Sequence, residues 1–550
     1  MSDEPAVEPA KKAAAKKPAP KKAAPDSTVP IKLQWVLHEL PSSQHRAGLA
    51  GLAMCVGFLQ RKPNRAGICE VEHLDDRALV LSVNRQGMQD LFDDIYDAAV
   101  VETSVQAKWP NTEPKRVEET EVKDKKTGQV KTEKRFVYDR VLPAGALIGD
   151  QDKGAVGGAK LWQKLWQDLV WSTLRGVPAT REPYNARAEK RANKDGADVW
   201  NELANAPMGS VELPSTYAVG VQAQSADNVA IKDLTRFRFL LHFWPFVVAI
   251  YVPSVVKRDN TREFAGYVLA MPDIAVLDAF VREWDQVARG RGGDAAGYVP
   301  RECVIDVPGE AGLDVVRRVD GIIASEQGKS HTRYSLCAVD VFHVEKEGNN
   351  VRVRSVSRVT PSRKMSDEYA RVRRTEYWSP AFRRQRIANV IDGHPWWQGF
   401  ARLCATMPRE NTIDSKPFCH DSRIAITEAE MSTDSPEADM TIEHLIFKRV
   451  QSYVLGKTDR KYNLNWTDAK GNPGKRREYE EKKEKIAREA FLAVRSRTGA
   501  DFVGYFTSTI CSVPLGVPEA RYLEIARALM DPKEVEKVRS LTLLALSAVA

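Results

Sequence analysis

Three glycines inside one predicted helix constrain this chain more than any other feature. The stretch from Leu40 to Phe58 reads Leu-Pro-Ser-Ser-Gln-His-Arg-Ala-Gly-Leu-Ala-Gly-Leu-Ala-Met-Cys-Val-Gly-Phe. Pro41 breaks what precedes it, and Ser42 or Ser43 can accept from the free N–H groups of a first turn. From Gln44 to Leu59 the only breakers are Gly48, Gly51 and Gly57, each costing about 1 kcal/mol relative to alanine. A helix carrying that cost needs an offset, and close packing against another element is the expected one. Ser42, Ser43, His38 and His45 also suggest a nucleophile and base. A serine ahead of a helix serves as a cap, however, and no G-x-S-x-G elbow accompanies it, so the stretch is assigned to architecture.

A chain of 550 residues exceeds what one hydrophobic core supports, so two or more domains are expected. Hydrophobic residues make up 43% and charged residues 28%, placing the chain among soluble globular proteins. Its seven cysteines contain no C-x-x-C pair, which argues against a zinc module or a disulfide framework and fits a reducing compartment. No signal peptide is visible. The apolar run Phe239 to Val252 contains His242 and Pro245 and falls short of the roughly 20 residues that span a bilayer. A cytoplasmic protein without membrane contact is expected, with that run as buried strand.

Residues 1–28 are Lys, Ala and Pro in low-complexity repetition and predict a disordered tail. Strands over Ile31 to Leu37 and Ala78 to Val83 flank the glycine-bearing helix, and Gln86 to Ala99 reads as a second helix. Residues 109–142 alternate Glu and Lys with valines around a Lys125-Lys126-Thr127-Gly128 turn, predicting a protruding basic hairpin: a solvated insertion or a phosphate-contacting arm. Leu161 to Arg175 places Leu and Trp side chains on one helical face, read as core. The polar loop Val219 to Asn228 carries Gln222, Gln224 and Asn228, residue types suited to the minor groove, and leads into expected strands Arg236 to Leu241 and Phe246 to Val252. Ala275 to Arg289 reads as helix, and Cys303 to Val307, Tyr334 to Glu345 and Val351 to Val359 as strands. Beyond Met431 amphipathic helices run to the end, the last over Pro532 to Val549, with the apolar run Leu541 to Ala550 as the end of a helix.

Charge is concentrated between Val351 and Arg386, where ten arginines and Lys364 stand against Asp367, Glu368 and Glu376, a local excess equal to the +8 of the whole chain. Arg371, Arg373 and Arg374 precede Trp378, and Arg383, Arg384 and Arg386 follow it. Arginine grips phosphate while an interleaved aromatic stacks a base, so this segment reads as a nucleic-acid footprint. Three local acids are too few to pair eleven cations.

Enzyme motifs fail. Gly328-Lys329-Ser330 has Ile323 where a phosphate loop needs its first glycine, and Gly290, Gly292 and Gly293 follow a helix and complete no dinucleotide fingerprint. His394, His420-Asp421 and Asp434 or Asp439 offer the order of an HD-type metal phosphohydrolase or nuclease, the enzymatic alternative. No cofactor or metal is expected.

Four segments together resemble one family: Leu40 to Leu52, Leu161 to Tyr184, Val219 to Tyr251, and Thr509 to Pro514 with Leu541 to Ala548. They are similar to the large subunit of type I CRISPR surveillance complexes, closest to its Myxan-type branch, from about residue 33 to the end. The resemblance implies a non-catalytic Cascade subunit that assembles with guide RNA and other Cascade subunits. It would inspect the motif flanking a double-stranded DNA target, help open the duplex, hold the displaced strand and dock the helicase-nuclease. In such systems base pairing carries sequence choice and protein reads the flanking motif and backbone. The resemblance also implies that the C-terminal bundle is similar to the small Cascade subunit, with Met431 or Met440 as an internal start.

The expected fold is α+β: a large mixed N-terminal domain over residues 29–430 followed by a helical bundle over 431–550. Arg371, Arg373, Arg374, Arg383, Arg384, Arg386, Lys125 and Lys126 are the expected phosphate contacts, Trp378 the base stacker, and Gln222, Gln224 and Asn228 the weaker candidates for flanking-motif reading. A nucleic-acid-binding protein that works without guide RNA is the remaining alternative.

Overall fold

In a computed structural model, the described residues are 28–63, 65–109, 111–123, 130–143, 155–156, 159–160, 182–212, 232–256, 262–289, 304–327, 335–347, 350–372, 376–431, 441–514 and 519–550. The tail over 1–27, Lys125, Lys126, the tryptophan-rich stretch 161–175, Gln222, Gln224, Asn228, Arg373, Arg374, the two glycine-bearing motifs 290–293 and 328–330, and Met440 lie outside them.

The strands are β1 (Ile31–Val36), β2 (Cys69–Leu74), β3 (Ala78–Val83), β4 (Ala98–Val105), β5 (Arg116–Lys123), β6 (Val130–Pro143), β7 (Ala155–Val156), β8 (Ala159–Lys160), β9 (Ser210–Glu212), β10 (Lys232–Leu234), β11 (Ala249–Val256), β12 (Arg262–Phe264), β13 (Tyr267–Ile274), β14 (Val304–Ile305), β15 (Leu336–Glu347) and β16 (Asn350–Val359). The helices are α1 (Ser43–Gln60), α2 (Arg85–Ile95), α3 (Glu182–Ala188), α4 (Lys194–Asn205), α5 (Thr235–Leu240), α6 (Leu277–Arg289), α7 (Glu310–Gln327), α8 (Arg363–Arg371), α9 (Pro380–Ile391), α10 (Phe400–Thr406), α11 (Lys416–Met431), α12 (Ile442–Tyr462), α13 (Trp466–Ala469), α14 (Pro473–Arg495), α15 (Gly499–Ser508), α16 (Glu519–Met530) and α17 (Val535–Val549). Sheets occupy the N-terminal part and helices the C-terminal part, an α+β protein.

The principal sheet runs in the order β12-β11-β13-β15-β16, with β14 added in parallel to β11. Every residue of β13 is buried, so both faces of the sheet are covered at its centre. Helix α1 packs on β13, and α7 packs on β15. Ser42 caps α1 as expected, its Oγ accepting from the backbone N–H of His45. Gly48 and Gly51 lie one turn apart against the carbonyl oxygens of Leu240 and Phe243, so close that a Cβ on either would overlap them. Backbone contact at that distance is the offset the glycines required. Gly57 meets nothing within 4 Å and contributes no such contact.

The segment from Arg236 to Leu241 is not a strand. Thr235–Leu240 forms a helix, although Arg236, Phe237, Arg238 and Phe239 alternate polar and apolar as a half-buried strand would. Arg236 donates to the Gln34 carbonyl and Arg238 pairs with Glu202, while Phe237, Phe239 and Leu240 are buried. Tertiary contacts override the local period. Strand structure begins only at Ala249, after a short 3-10 turn over Trp244–Phe246.

The two strands expected there pair antiparallel, with the turn around Lys125 to Gly128 outside the described residues, and a third strand joins them in the order β4-β6-β5. Across it Lys115 pairs with Glu102 at 2.9 Å, Arg116 with Glu102 at 2.7 Å, and Lys134 with Glu119 at 3.2 Å. Several of its cations are thus balanced by acids on other strands of the same sheet.

From Arg363 to the end every described element is helical, so the helical part starts well before Met431. The apolar C-terminal run forms α17, buried from Val538 through Val549, and α10, α11, α12, α14, α15 and α16 all pack on it. Among the described residues no helix is long and apolar enough to cross a membrane.

Candidate nucleic-acid interface

The arginine-rich segment starts on β16, the outermost strand of the principal sheet, where antiparallel register sets its side chains beside those of β15. Arg352 pairs with Glu347 at 2.8 Å, Arg354 with Glu345 at 2.7 Å, and Arg358 with Asp340 at 2.9 Å and with buried Asp273. Lys364 reaches Glu368 at 3.9 Å. The expectation that these cations lack acids is corrected. The partners of the three arginines come from β13 and β15, which a window confined to the segment leaves out, whereas Lys364 pairs within α8.

Arg383 lies on α9 with its side chain 4% exposed, between Asp306 and Glu310. Its Nη1 donates to Glu310 Oε2 at 3.2 Å and its Nε to the Val372 carbonyl at 3.2 Å. Burial works against its charge, but the two carboxylates prevail and hold the guanidinium above the usual arginine range. Arg383 is therefore an interior residue and does not face a phosphate backbone, a correction to the sequence expectation. Arg386 is also largely buried, 3.5 Å from Glu428 and flanked by the rings of Tyr377 and Trp396. It borders a cleft and is not on an open surface.

Arg371 at the end of α8 is exposed and Arg384 on α9 is half-buried. Neither has an ion pair among the described residues. Trp378 is 58% exposed, and its ring stacks on His420 with centroids 3.6 Å apart and planes 4° apart. The backbone N–H groups of Trp378 and Ser379 donate to Asp421 at 2.9 and 2.7 Å. Burial pushes the Asp421 carboxyl up, and those N–H groups counter it. The His420-Asp421 pair thus fastens the start of α9. His394 lines the cleft beside Arg386, which neither His420 nor Asp421 lines. Asp434 and Asp439 lie outside the described residues, and among those described no three His, Cys, Asp or Glu side chains are grouped to hold a metal ion.

The Ser42–His45 pair gains an acid that sequence spacing did not suggest. His45 Nδ1 lies 2.8 Å from Ser42 Oγ, and Nε2 lies 3.0 Å from Asp233 Oδ2. The connectivity is that of a Ser-His-Asp relay, but the hydroxyl caps α1 and the imidazole is sealed at 2% exposure. The arrangement ties α1 to β10.

The residues that sequence reading missed are on α12 to α14. Between Lys457 and Arg488 eleven cations face six acids. Lys461, Lys483 and Arg488 have acidic partners, whereas exposed Arg460, Lys470, Lys475, Arg476 and Arg477 have no ion pair among the described residues. Two aromatics stand among them. The Nζ atoms of Lys461 and Lys482 each lie 5.5 Å from the Tyr462 ring. Trp466, 42% exposed, has the Arg476 guanidinium 5.7 Å from its ring and Tyr479 behind it at 5.6 Å. Unpaired cations beside the exposed Trp466 ring and the half-buried Tyr462 ring provide both parts of a single-strand grip, phosphate charge and base stacking. Asn463 in the left-handed conformation, then Asn465 and Asn472 as helix caps, set the two turns that display the rings.

The Type I-B CRISPR Cas8b N-terminal domain model matches residues 68–329, and the Type I-B CRISPR Cas8b C-terminal domain model matches residues 336–549. The chain belongs to the Cas8b family. It is thereby a large subunit of a type I CRISPR Cascade. No curated protein matches it. The Cas8b division falls between α7 and β15, within the principal sheet's layer, so β13 of the N-terminal segment pairs with β15 of the C-terminal segment over eight residue pairs from Tyr267↔Val344 to Ile274↔Leu336. The Arg383 ion pair crosses the same division. The unpaired cations of α12 to α14 all belong to the Cas8b C-terminal segment.

Proposed function

We propose that this Cas8b chain is the non-catalytic, DNA-engaging large subunit of its Cascade. It holds a displaced or single-stranded portion of a double-stranded target through the face built by Arg460, Tyr462, Trp466, Lys475, Arg476 and Lys482, with Arg371, Arg384 and Trp378 as further contacts. The observation that carries this reading is the coincidence of exposed, unpaired cations with the exposed ring of Trp466 and the half-buried ring of Tyr462 on α12 to α14. Arg373, Arg374, Lys125 and Lys126 remain proposed backbone contacts, and Gln222, Gln224 and Asn228 proposed readers of the flanking motif. Guide RNA, the other Cascade subunits and the helicase-nuclease are the proposed partners, and the cytoplasm is the proposed location. The helices after Met431 are proposed to act as a small-subunit equivalent, translated separately from Met431 or Met440.

Isolation of the chain from cells expressing its native genomic neighbourhood tests the reading. Small RNA and partner proteins should co-purify, and the assembly should bind target DNA in proportion to guide complementarity. A chain recovered alone, binding DNA without regard to guide, would assign it to guide-independent nucleic-acid binding instead.

A further inference from the structure

A cleft of about 270 Å³ lies among α8, α9, α11 and the start of α12, apart from the basic face described above. Its size is at the lower end for small-molecule sites, which limits an occupant to roughly the bulk of a mononucleotide. The cleft is preorganised. Asn389 Nδ2 donates to the carbonyls of Trp396 at 3.0 Å and Gln398 at 2.9 Å, and its carbonyl accepts from the His394 N–H at 2.8 Å. These bonds fix the turn that presents His394 and Trp396, with Gly393 at φ +66° where a side chain would be strained.

The electrostatics of the lining leave donors in excess. Three carboxylates border the cleft, and each has its own cation: Glu368 has Lys364, Glu443 has Lys537 at 3.2 Å, and Glu428 has Arg386. Glu428 also accepts from the Tyr377 hydroxyl at 2.8 Å. Arg371 and the His394 ring have no such partner among the described residues. Among the described residues the Arg386 Nε–H has no acceptor, and its side chain is only 7% exposed. A buried N–H left unmade is costly, and an anionic, acceptor-rich ligand is what relieves this set of groups. The indole of Trp396 provides a flat wall beside them.

We propose that this cleft binds a phosphate monoester of nucleotide size, either a free nucleoside monophosphate or the phosphorylated end of a nucleic-acid strand. Arg371 and His394 hold the phosphate oxygens, Arg386 adds positive potential from behind, and Trp396 borders the sugar or base. The site does not depend on the basic face of α12 to α14, so its test is separate from that of DNA engagement.

Calorimetric titration of the full chain with adenosine monophosphate, adenosine, and a short oligothymidylate bearing either a 5′-phosphate or a 5′-hydroxyl tests the assignment. At least one phosphorylated probe should bind ten-fold or more tightly than its unphosphorylated counterpart. The mononucleotide arm identifies a free nucleotide as the source, and the oligonucleotide arm a strand end. Arg371→Gln and His394→Gln should each weaken that binding by about ten- to a hundred-fold, while Glu428→Gln, which removes an opposing charge, should strengthen it. Equal binding of phosphorylated and unphosphorylated probes, no binding of either phosphorylated probe, or unchanged affinity in both weakening variants would overturn the proposal. Glu428→Gln keeps the test decisive if a weakening variant misfolds, because a gain of affinity requires an intact cleft.

Discussion

Arg383 and Glu310 form a buried ion pair that joins the two Cas8b segments of the chain. Both side chains are 4% exposed, and Asp306 takes the other edge of the guanidinium. The pair continues into a wider network, since the Tyr369 hydroxyl donates to Glu310 at 3.2 Å and, one turn along α7, Asp314 accepts from Tyr251 at 2.7 Å and Arg318 at 2.8 Å. Desolvated charges cost much to bury, and they persist here because each has a partner and further hydrogen bonds. Their geometry sets where the helical part meets the principal sheet.

Arg383→Met should therefore destabilise the C-terminal half by about 3–5 kcal/mol, because Asp306 and Glu310 would remain buried without their cation. Arg384→Met, one residue along and without an ion pair, should change stability by no more than about 0.5 kcal/mol. Urea titrations followed by tryptophan fluorescence compare the two. Similar midpoints for both variants would remove the ion pair from the interactions that hold the halves together.

The glycines of α1 should separate by position. Gly48→Ala and Gly51→Ala place a methyl on the carbonyls of Leu240 and Phe243 and should each cost about 1–3 kcal/mol through forced separation of the backbones. Gly57→Ala meets open space in the same helix and should gain up to about 1 kcal/mol. Thermal melting of the three variants reads the contrast directly.

Glu428 should make stability depend on pH in a direction opposite to a surface carboxylate. Burial raises its pKa from the ordinary 4.5, with the charge of Arg386 and the Tyr377 hydroxyl opposing that rise. The folded state thus takes up a proton at higher pH than the unfolded state, so this carboxyl's contribution is fully present below about 4.5 and is lost as pH rises through the folded value. Relative to Glu428→Gln, the wild-type chain should gain stability as pH is lowered from neutral towards 4.5. Parallel melting curves of the two proteins across that window would contradict the assignment.

Much of this architecture was legible because it rests on local signals. Ser42 ahead of a glycine-spaced helix, the Lys/Glu alternation around residues 125–128 and the apolar end of the chain announced α1, the β5–β6 pair and α17. What misled was non-local. The alternation at Arg236 to Phe239 belongs to a helix because the carbonyls that follow it face Gly48 and Gly51. The excess charge at Val351 to Arg386 is largely neutralised by Asp273, Glu310, Asp340 and other acids distant in sequence, which no window across the segment includes. Conversely, α14 reads in the sequence only as one of several amphipathic helices, and only the fold brings its cations beside Tyr462 and Trp466.

The strongest consequence concerns that face. Each lysine or arginine that neutralises a phosphate of a single strand releases condensed counterions, so the slope of log affinity against log salt changes by about 0.7 per phosphate neutralised. Replacing Arg460, Lys475, Arg476 and Lys482 with alanine should weaken single-strand binding and flatten the slope by about 0.7 for each phosphate no longer neutralised. Replacing Arg352, Arg354 and Arg358, whose guanidinium groups are engaged by acids of β13 and β15, should leave the slope nearly unchanged. Trp466→Ala should lower affinity by about 1–3 kcal/mol without altering the slope, because stacking releases no counterions. Fluorescence anisotropy with a labelled single strand over a salt series measures all three. A flattened slope in the β16 variant, with the α12–α14 variant unchanged, would return the interface to the arginine-rich segment.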